Sequence, residues 1–334
     1  MAIETLYDKD GSLNALQGKT VAVLGYGSQG HAHAQNLRDS GANVIIANRR
    51  DSANGKLAIE HGFDPVSVEQ ATQTADMLIL ALPDEVQPSV YEKSIAPHLR
   101  PGMVLGATHG FNVHFKTITP PRDVDVVMVA PKGPGHTVRS EFERGGGVPC
   151  LLAIEQDASG QAFDRAMAWA IGVGGGRAGV LRTTFQDECE TDLFGEQNVL
   201  CGGLSSMIKA GFEVLVEAGY PPELAYFEVC HELKLIIDLI VRGGLNYMRY
   251  SISNTAEFGD YHTGPKIVDE ATKERMRQAL REIQSGEFAR AFREDYENGF
   301  AWFKQQREKD RNHPVEQVGK ELRAMMPWIK PVEV

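Results

Sequence analysis

Two pairs of carboxylates carry the clearest chemistry in the sequence. Asp192 and Glu196 lie four residues apart in Thr191-Asp-Leu-Phe-Gly-Glu196, and Glu228 and Glu232 repeat that spacing in Phe227-Glu-Val-Cys-His-Glu232. On a helix, residues i and i+4 share a face. Like charges stacked this way repel, a cost that a purely structural helix would avoid. Around a hard divalent cation the same oxygens become ligands, and an oxygen-only set suits Mg²⁺ or Mn²⁺ over Zn²⁺. Either pair alone reads more simply as a solvated acidic face. Two pairs on helices that also carry Leu193, Phe194, Leu233 and Leu235 point instead to a four-carboxylate metal cluster. His231, inside the second pair, reads as a packed or hydrogen-bonding histidine.

A second signal is Gly25-Tyr-Gly-Ser-Gln-Gly30, a GxGxxG. Its context makes it a dinucleotide fingerprint. The apolar run Thr20-Val-Ala-Val-Leu24 precedes it, a helical pattern follows, and a second apolar run, Asn43-Val-Ile-Ile-Ala47, comes next. Such a loop needs its first glycine for the turn, its second for approach of the pyrophosphate and its third for helix–strand packing. The helix N-terminus supplies N–H groups for the phosphates. After the second run comes Asn48-Arg-Arg-Asp-Ser-Ala-Asn54. Arg49, Arg50 and Ser52 suit the 2′-phosphate of NADP, whereas Asp51 repels it and suits the ribose diol of NAD.

Two further loops follow strand-like runs, where ligands sit in open α/β sheets. Lys132, in Ala130-Pro-Lys-Gly-Pro-Gly-His136, is suited to holding a substrate oxygen or a catalytic carboxylate. His109, in Thr108-His-Gly-Phe-Asn112, is suited to proton transfer near neutral pH. Ser253 either binds a carboxylate or caps the next helix.

The elements that must position these groups fall into two halves. Apolar runs at 20–25, 43–47, 76–82, 103–105, 124–130 and 150–154 alternate with helical patterns, which implies βαβ units and a mainly parallel, doubly wound sheet. From about Gln186 onward the pattern is helical, with long stretches at 202–218, 222–242 and 269–285. The boundary is expected near Thr183, which divides the chain into 1–183 and 184–330. Leu235-Ile-Ile-Asp-Leu-Ile-Val241, the most apolar stretch, reads as a buried helix segment. No apolar run reaches the roughly 18 residues that span a bilayer. Within 334 residues the net charge is −11, which argues against nucleic-acid and anionic-membrane partners. Four cysteines without metal or disulfide spacing fit a reducing cytoplasm.

Several of these segments together resemble the ketol-acid reductoisomerase family, also called acetohydroxyacid isomeroreductase. They are Gly25 to Ala34, His109 to Asn112, Ala130 to His136, Glu190 to Gln197, Tyr226 to Glu232 and Tyr250 to Glu257. The similarity runs over nearly the whole chain and is to the short form of the family. The resemblance implies conversion of 2-acetolactate or 2-aceto-2-hydroxybutyrate to 2,3-dihydroxy acids in valine, leucine and isoleucine synthesis. Alkyl migration comes first, then hydride transfer from NADPH, with two Mg²⁺ ions. It implies Asp192, Glu196, Glu228 and Glu232 as metal ligands, the last two from a partner subunit, so that the active unit is at least a homodimer with a knotted helical domain. It implies catalytic roles for His109, Lys132 and Glu232, and substrate binding by Ser253. It places Gly25, Tyr26, Gly27, Ser28, Gln29, Gly30, Arg49, Ser52, Asp84, Glu85, Val86, Gln87 and Gly135 along the cofactor. Asp51 and Asn54 stand where many members have glycine and a hydroxyl residue, which leaves NADH or dual use open.

Two rival readings predict different behaviour. A metal-free hydroxyacid dehydrogenase would transfer hydride with no role for the four carboxylates. A dinucleotide-sensing protein would bind cofactor without turnover.

Overall fold

The computed structural model describes residues 3–326 together with 328 and 332. The chain divides into two units, one ending at Thr191 and the other beginning at Asp192.

The first unit is built on an eight-stranded sheet. Its strands are β1 (Thr5–Leu6), β2 (Thr20–Leu24), β3 (Asn43–Ala47), β4 (Met77–Leu80), β5 (Val104–Ala107), β6 (Asp125–Pro131), β7 (Cys150–Gln156) and β8 (Val180–Thr183). Their order across the sheet is β1-β8-β7-β6-β5-β4-β2-β3. All neighbours run parallel except β1 with β8 and β6 with β7, so the sheet is mixed at one side. The sequence pattern locates β2 to β7 within a few residues and misses β1 and β8, the two strands at one side of the sheet. β8 is only Val-Leu-Arg-Thr, and β1 is two residues long, too short to show a period.

Strand composition follows from double burial. Val21 and Val23 of β2 pack into one core, with Ile79, Val127, Leu152 and Trp169. Ala22 and Leu24, pointing the other way, pack into a second with Leu78, Leu80, Leu105 and Ile95. A strand buried on both faces reads as a continuous apolar run. Truncating such a side chain, for example Ile79→Ala, costs about 2–5 kcal/mol. The order reverses at β2, which has β3 on one side and β4 on the other. Ligands of doubly wound sheets bind beyond the carboxyl ends of strands at such a switch point.

The second unit is helical among its described residues. Its main helices are Gly202–Glu217, Leu233–Ser251, Asn254–Ile267, Glu270–Gln284, Glu287–Glu297, Ala301–Arg311 and Pro314–Ala324. Asp269 caps Glu270–Gln284 by accepting from Thr272 N at 2.8 Å. The stretch Phe185–Glu217 is 33 residues long, and by length and composition it passes as a membrane-crossing helix, which the sequence reading had excluded. Apolarity there is interrupted at its start by Asp187, Glu188, Glu190 and Asp192. Leu235 to Val241 is helical but not buried: Val241 is 81% exposed and Leu235 55%. The apolar pattern called for a packing partner, and among the described residues Ile236, Leu239 and Ile240 are only half-buried while Leu235, Ile237 and Val241 stay exposed.

Candidate active site

The phosphate loop forms as its glycines require. Gly25 ends β2 at φ +99°, a left-handed conformation that favours glycine. A Cβ there would lie 2.5 Å from the Ala81 carbonyl oxygen, and one on Gly30 would lie 2.2 Å from the Gly25 oxygen. Gly27 differs: its built Cβ meets nothing nearer than Asn54 Nδ2 at 4.0 Å. The first and third glycines are filled by protein, while the second faces open space, the cradle a pyrophosphate needs. The helix Ser28–Asp39 begins there, so its free N–H groups point at that space. The loop borders a cleft of about 1440 Å³. A cradle at a helix N-terminus in a cleft of this size fits a dinucleotide.

The sequence-predicted cofactor residues separate on inspection. Gly25 to Gln29, Arg49, Asp84, Val86 and Gln87 border the cleft, whereas Gly30, Ser52, Glu85 and Gly135 do not. Tyr26 borders it while its side chain is 1% exposed, the phenol meeting His61 Nδ1 at 2.9 Å. Burial pushes that phenol up to about 12. Ser52 Oγ donates to the Arg49 carbonyl at 2.7 Å and accepts from Gly55 N at 3.0 Å, capping the helix Ala53–Glu60. Arg50 is ion-paired with Asp64. At the end of β4, Asn112 Nδ2 donates to the Asp84 carbonyl at 3.0 Å and to Gln87 Oε1 at 3.1 Å, which fixes the Asp84–Gln87 turn.

His109 follows β5 and Lys132 follows β6, so neighbouring strands deliver both to the sheet's carboxyl edge. They meet at Glu188, on the helix Phe185–Gly195. Lys132 Nζ donates to Glu188 Oε1 at 3.0 Å, His109 Nδ1 lies 3.2 Å from Oε2, and Gly110 N donates to Oε2 at 2.9 Å. The Glu188 side chain is 1% exposed. Gly110 permits the approach, since a Cβ there would stand 2.9 Å from the Phe185 carbonyl oxygen. Burial opposes charging His109, but hydrogen bonds to Cys189 and Glu188 and the Glu188 charge raise its pKa well above the ordinary histidine value. Burial likewise pushes Glu188 up, and the His109 and Lys132 contacts overcome it and hold the carboxyl below its usual range. Thr108 Oγ1 donates to the Leu80 carbonyl at 3.2 Å, a structural bond beside the site.

Glu188 was missed in the sequence. The signal was there: Glu188, Asp192 and Glu196 form one row at i, i+4 and i+8. Of the predicted metal ligands, Glu196 opens a π-helical turn, Glu196–Leu200, and Glu228 lies in another, Phe227–His231. The second is closed by Glu232 N donating to the Phe227 carbonyl at 3.0 Å. Such turns cluster at functional sites. Among the described residues, no three of Asp192, Glu196, Glu228 and Glu232 bring ligand atoms within 4.8 Å of one another in the chain. The donor chemistry fits Mg²⁺, all four being carboxylates. Ser253 is exposed and caps Asn254–Ile267, its Oγ accepting from Ala256 N at 3.2 Å. His231 packs edge-on against Phe227, with ring centroids 5.4 Å apart.

Comparison with known proteins decides the family. Residues 15–179 match the acetohydroxy acid isomeroreductase NADPH-binding domain, and residues 185–328 match the ketol-acid reductoisomerase C-terminal domain. The chain belongs to the ketol-acid reductoisomerase family. The solved structure of an NADH-preferring ketol-acid reductoisomerase from an uncultured archean is 46% identical over 97% of this chain and 99% of that one, with TM-score 0.95. A semialdehyde dehydrogenase NAD-binding protein from Cupriavidus necator, 21% identical over 80% of this chain and 99% of its own with TM-score 0.60, shares the fold alone. The chain is thus a nicotinamide-dependent reductoisomerase of branched-chain amino acid synthesis, converting acetohydroxy acids to 2,3-dihydroxy acids by alkyl migration and reduction. Both rival readings fall with that assignment.

Ketol-acid reductoisomerase chemistry calls for positive charge and a proton source beside the cofactor. When bound, divalent ions polarise the ketone and acidify the neighbouring hydroxyl, and the nicotinamide supplies the hydride. Lys132 presents a positive charge at the carboxyl edge of the sheet. His109, beside Glu188, favours its protonated form at the same edge. Glu188 fixes both cations by accepting from Lys132 and His109 at once.

Proposed function

We propose that this enzyme uses His109, Lys132 and Glu188 with two Mg²⁺ ions to rearrange and reduce 2-acetolactate and 2-aceto-2-hydroxybutyrate. Asp192 and Glu196 of one copy hold the ions together with Glu228 and Glu232 of a second. Glu232 also acts in catalysis, and Ser253 binds the substrate carboxylate. Residues 1–183 are the dinucleotide domain and 184–330 the knotted, dimerising helical domain. The observation that carries this reading is the buried Glu188 joining Lys132 to His109. What supports a second copy is the failure of the four carboxylates to converge in one chain, beside Tyr250 at 86% and Phe258 at 70% exposure. Apolar surface on that scale calls for cover. A cytoplasmic setting accords with four free cysteines.

For the cofactor we propose NADPH, with Arg49 as the phosphate partner. Arg50 is paired with Asp64 and Ser52 Oγ caps a helix, so Arg49 is the loop cation left for a 2′-phosphate. NADH is the second reading, supported by Asp51 and Asn54 in the loop.

The test is turnover of 2-acetolactate against Mg²⁺ concentration, with NADPH and NADH in parallel, for wild type, Glu196→Gln and Glu228→Gln. Mixing the two inactive variants tests sharing across subunits. A pair whose ligands come from different copies regains part of the activity on exchange of subunits. Turnover that persists after chelation of divalent ions would sink the proposal.

A further inference from the structure

The turn carrying Lys132 lies across the start of the phosphate-loop helix. Gln29 Nε2 donates to the Gly133 carbonyl at 2.9 Å, and Gly135 N donates to Ser28 Oγ at 3.1 Å. Backbones touch here. A Cβ built on Gly135 would fall 1.5 Å from the Ser28 carbonyl oxygen and 2.9 Å from Gln29 N. Gly135 therefore does not border the cleft; it lets one turn seat against the other.

The peptide after Lys132 is held from two sides. Lys132 N donates to the Pro149 carbonyl at 2.8 Å, which ties it to the sheet beside β7. The carbonyl of Gly133, the next residue, is held by Gln29. Lys132 Nζ then meets Glu188, and Glu188 meets His109. A continuous set of bonds thus runs from the first residues of the phosphate-loop helix to the proton-bearing group. Ser28 and Gln29 are also the residues whose backbone N–H groups would meet a pyrophosphate, since they open the helix. Gln29 Oε1 is buried without a partner. Burying that atom unpaired costs stability, so the amide is not held in place for packing alone.

We propose that Gln29 is a positioning residue, coupling occupancy of the dinucleotide cleft to the placement of Lys132 through the Gly133 carbonyl. The inference rests on the reading of Lys132 as a group of the reaction. The link is one neutral hydrogen bond, so the coupling is on the order of tenfold or less.

The experiment uses the full chain with Gln29→Met, which keeps length and loses the donor, and Gln29→Glu, whose carboxylate cannot donate. Hydrogen exchange over residues 130–138 is followed by mass spectrometry as NADPH, or NADH, is added. In wild type the cofactor slows exchange across this turn. Both variants are compared with wild type at saturating cofactor, full occupancy being checked by fluorescence titration because Gln29 borders the cleft, and exchange in the turn no longer responds. In steady state at saturating cofactor, kcat falls about three- to tenfold. A double-mutant cycle adds the decisive readout: Gln29→Met causes no additional loss in a Lys132→Ala background. Exchange that responds to cofactor equally in wild type and both variants would overturn the proposal. So would a full, additive loss on top of Lys132→Ala. If one variant fails to fold, the other reads the same bond. A wild type that binds cofactor but does not turn over 2-acetolactate would defeat the reading of the reaction, and the exchange response would still decide the coupling.

Discussion

Lys132 Nζ stands 3.0 Å from Glu188 Oε1, and the Glu188 side chain is 1% exposed. An ammonium from the end of β6 and a carboxylate from a helix far along the chain pair at a buried Glu188, with His109 on the other oxygen. Removing one member of such a pair leaves the others uncompensated, which typically costs about 3–5 kcal/mol.

Glu188→Gln is therefore expected to lower kcat by about two orders of magnitude or more, since it disturbs a group in proton transfer. It also removes the charge that raises His109. His109 would then lose its proton at lower pH, and the alkaline limb of the pH–rate profile moves down. His109's raised pKa contributes stability present below its unfolded value and lost as pH rises through the folded one. An alkaline limb that stays in place in the variant would show that Glu188 does not set the His109 charge.

Acid stability has a separate source. His33 is fully buried, accepts from Trp169 Nε1 at 2.9 Å, and its pKa is pushed down to about 3 by burial and by His31. Here the folded value lies below the unfolded one, so the unfolded chain binds the proton first. Stability is lost progressively as pH falls below the ordinary histidine value toward about 3. Urea unfolding at pH 7.5, 5.5 and 4.5 measures this. His33→Gln, which keeps an acceptor and does not titrate, is expected to flatten the dependence; an unchanged slope would assign the acid sensitivity elsewhere.

The glycines of the phosphate loop make opposite predictions. Gly30→Ala drives a Cβ to 2.2 Å from the Gly25 oxygen and is expected to destabilise by about 1–3 kcal/mol, visible as a lower Tm without ligand. Gly27→Ala meets only Asn54 at 4.0 Å and is expected to fold normally. It fills the cradle, so the loss appears in KM for the cofactor. Equal effects of both variants on Tm would contradict this division.

Arg49→Ala is expected to weaken NADPH by about 10- to 100-fold in kcat/KM, the worth of a hydrogen bond to a charged group, and to leave NADH nearly unchanged. Asp51→Gly is expected to improve NADPH and not NADH. Preference for NADH in wild type, shifting toward NADPH in Asp51→Gly, would make Asp51 the selector and overturn the assignment of NADPH.

Much of this enzyme was readable in one dimension. Val21 to Leu24 announce a doubly buried strand, and Gly25, Gly27 and Gly30 announce the turn that follows, because strand burial and left-handed turns depend on local residue types. The carboxylate pairs are local too, being set by helical spacing.

Tertiary structure decided the rest. Glu188 is one acid among several in its stretch, and only the approach of β5 and β6 makes it the partner of His109 and Lys132. Gly135 reads as another loop glycine until the Ser28 carbonyl is found where its Cβ would be. The apolar run from Leu235 to Val241 specified a helix but not what covers it, and among the described residues Leu235, Ile237 and Val241 remain exposed. Periodicity reports which face of an element is apolar. Which groups from distant segments meet, and at what protonation, is set by packing and burial, which no local pattern encodes.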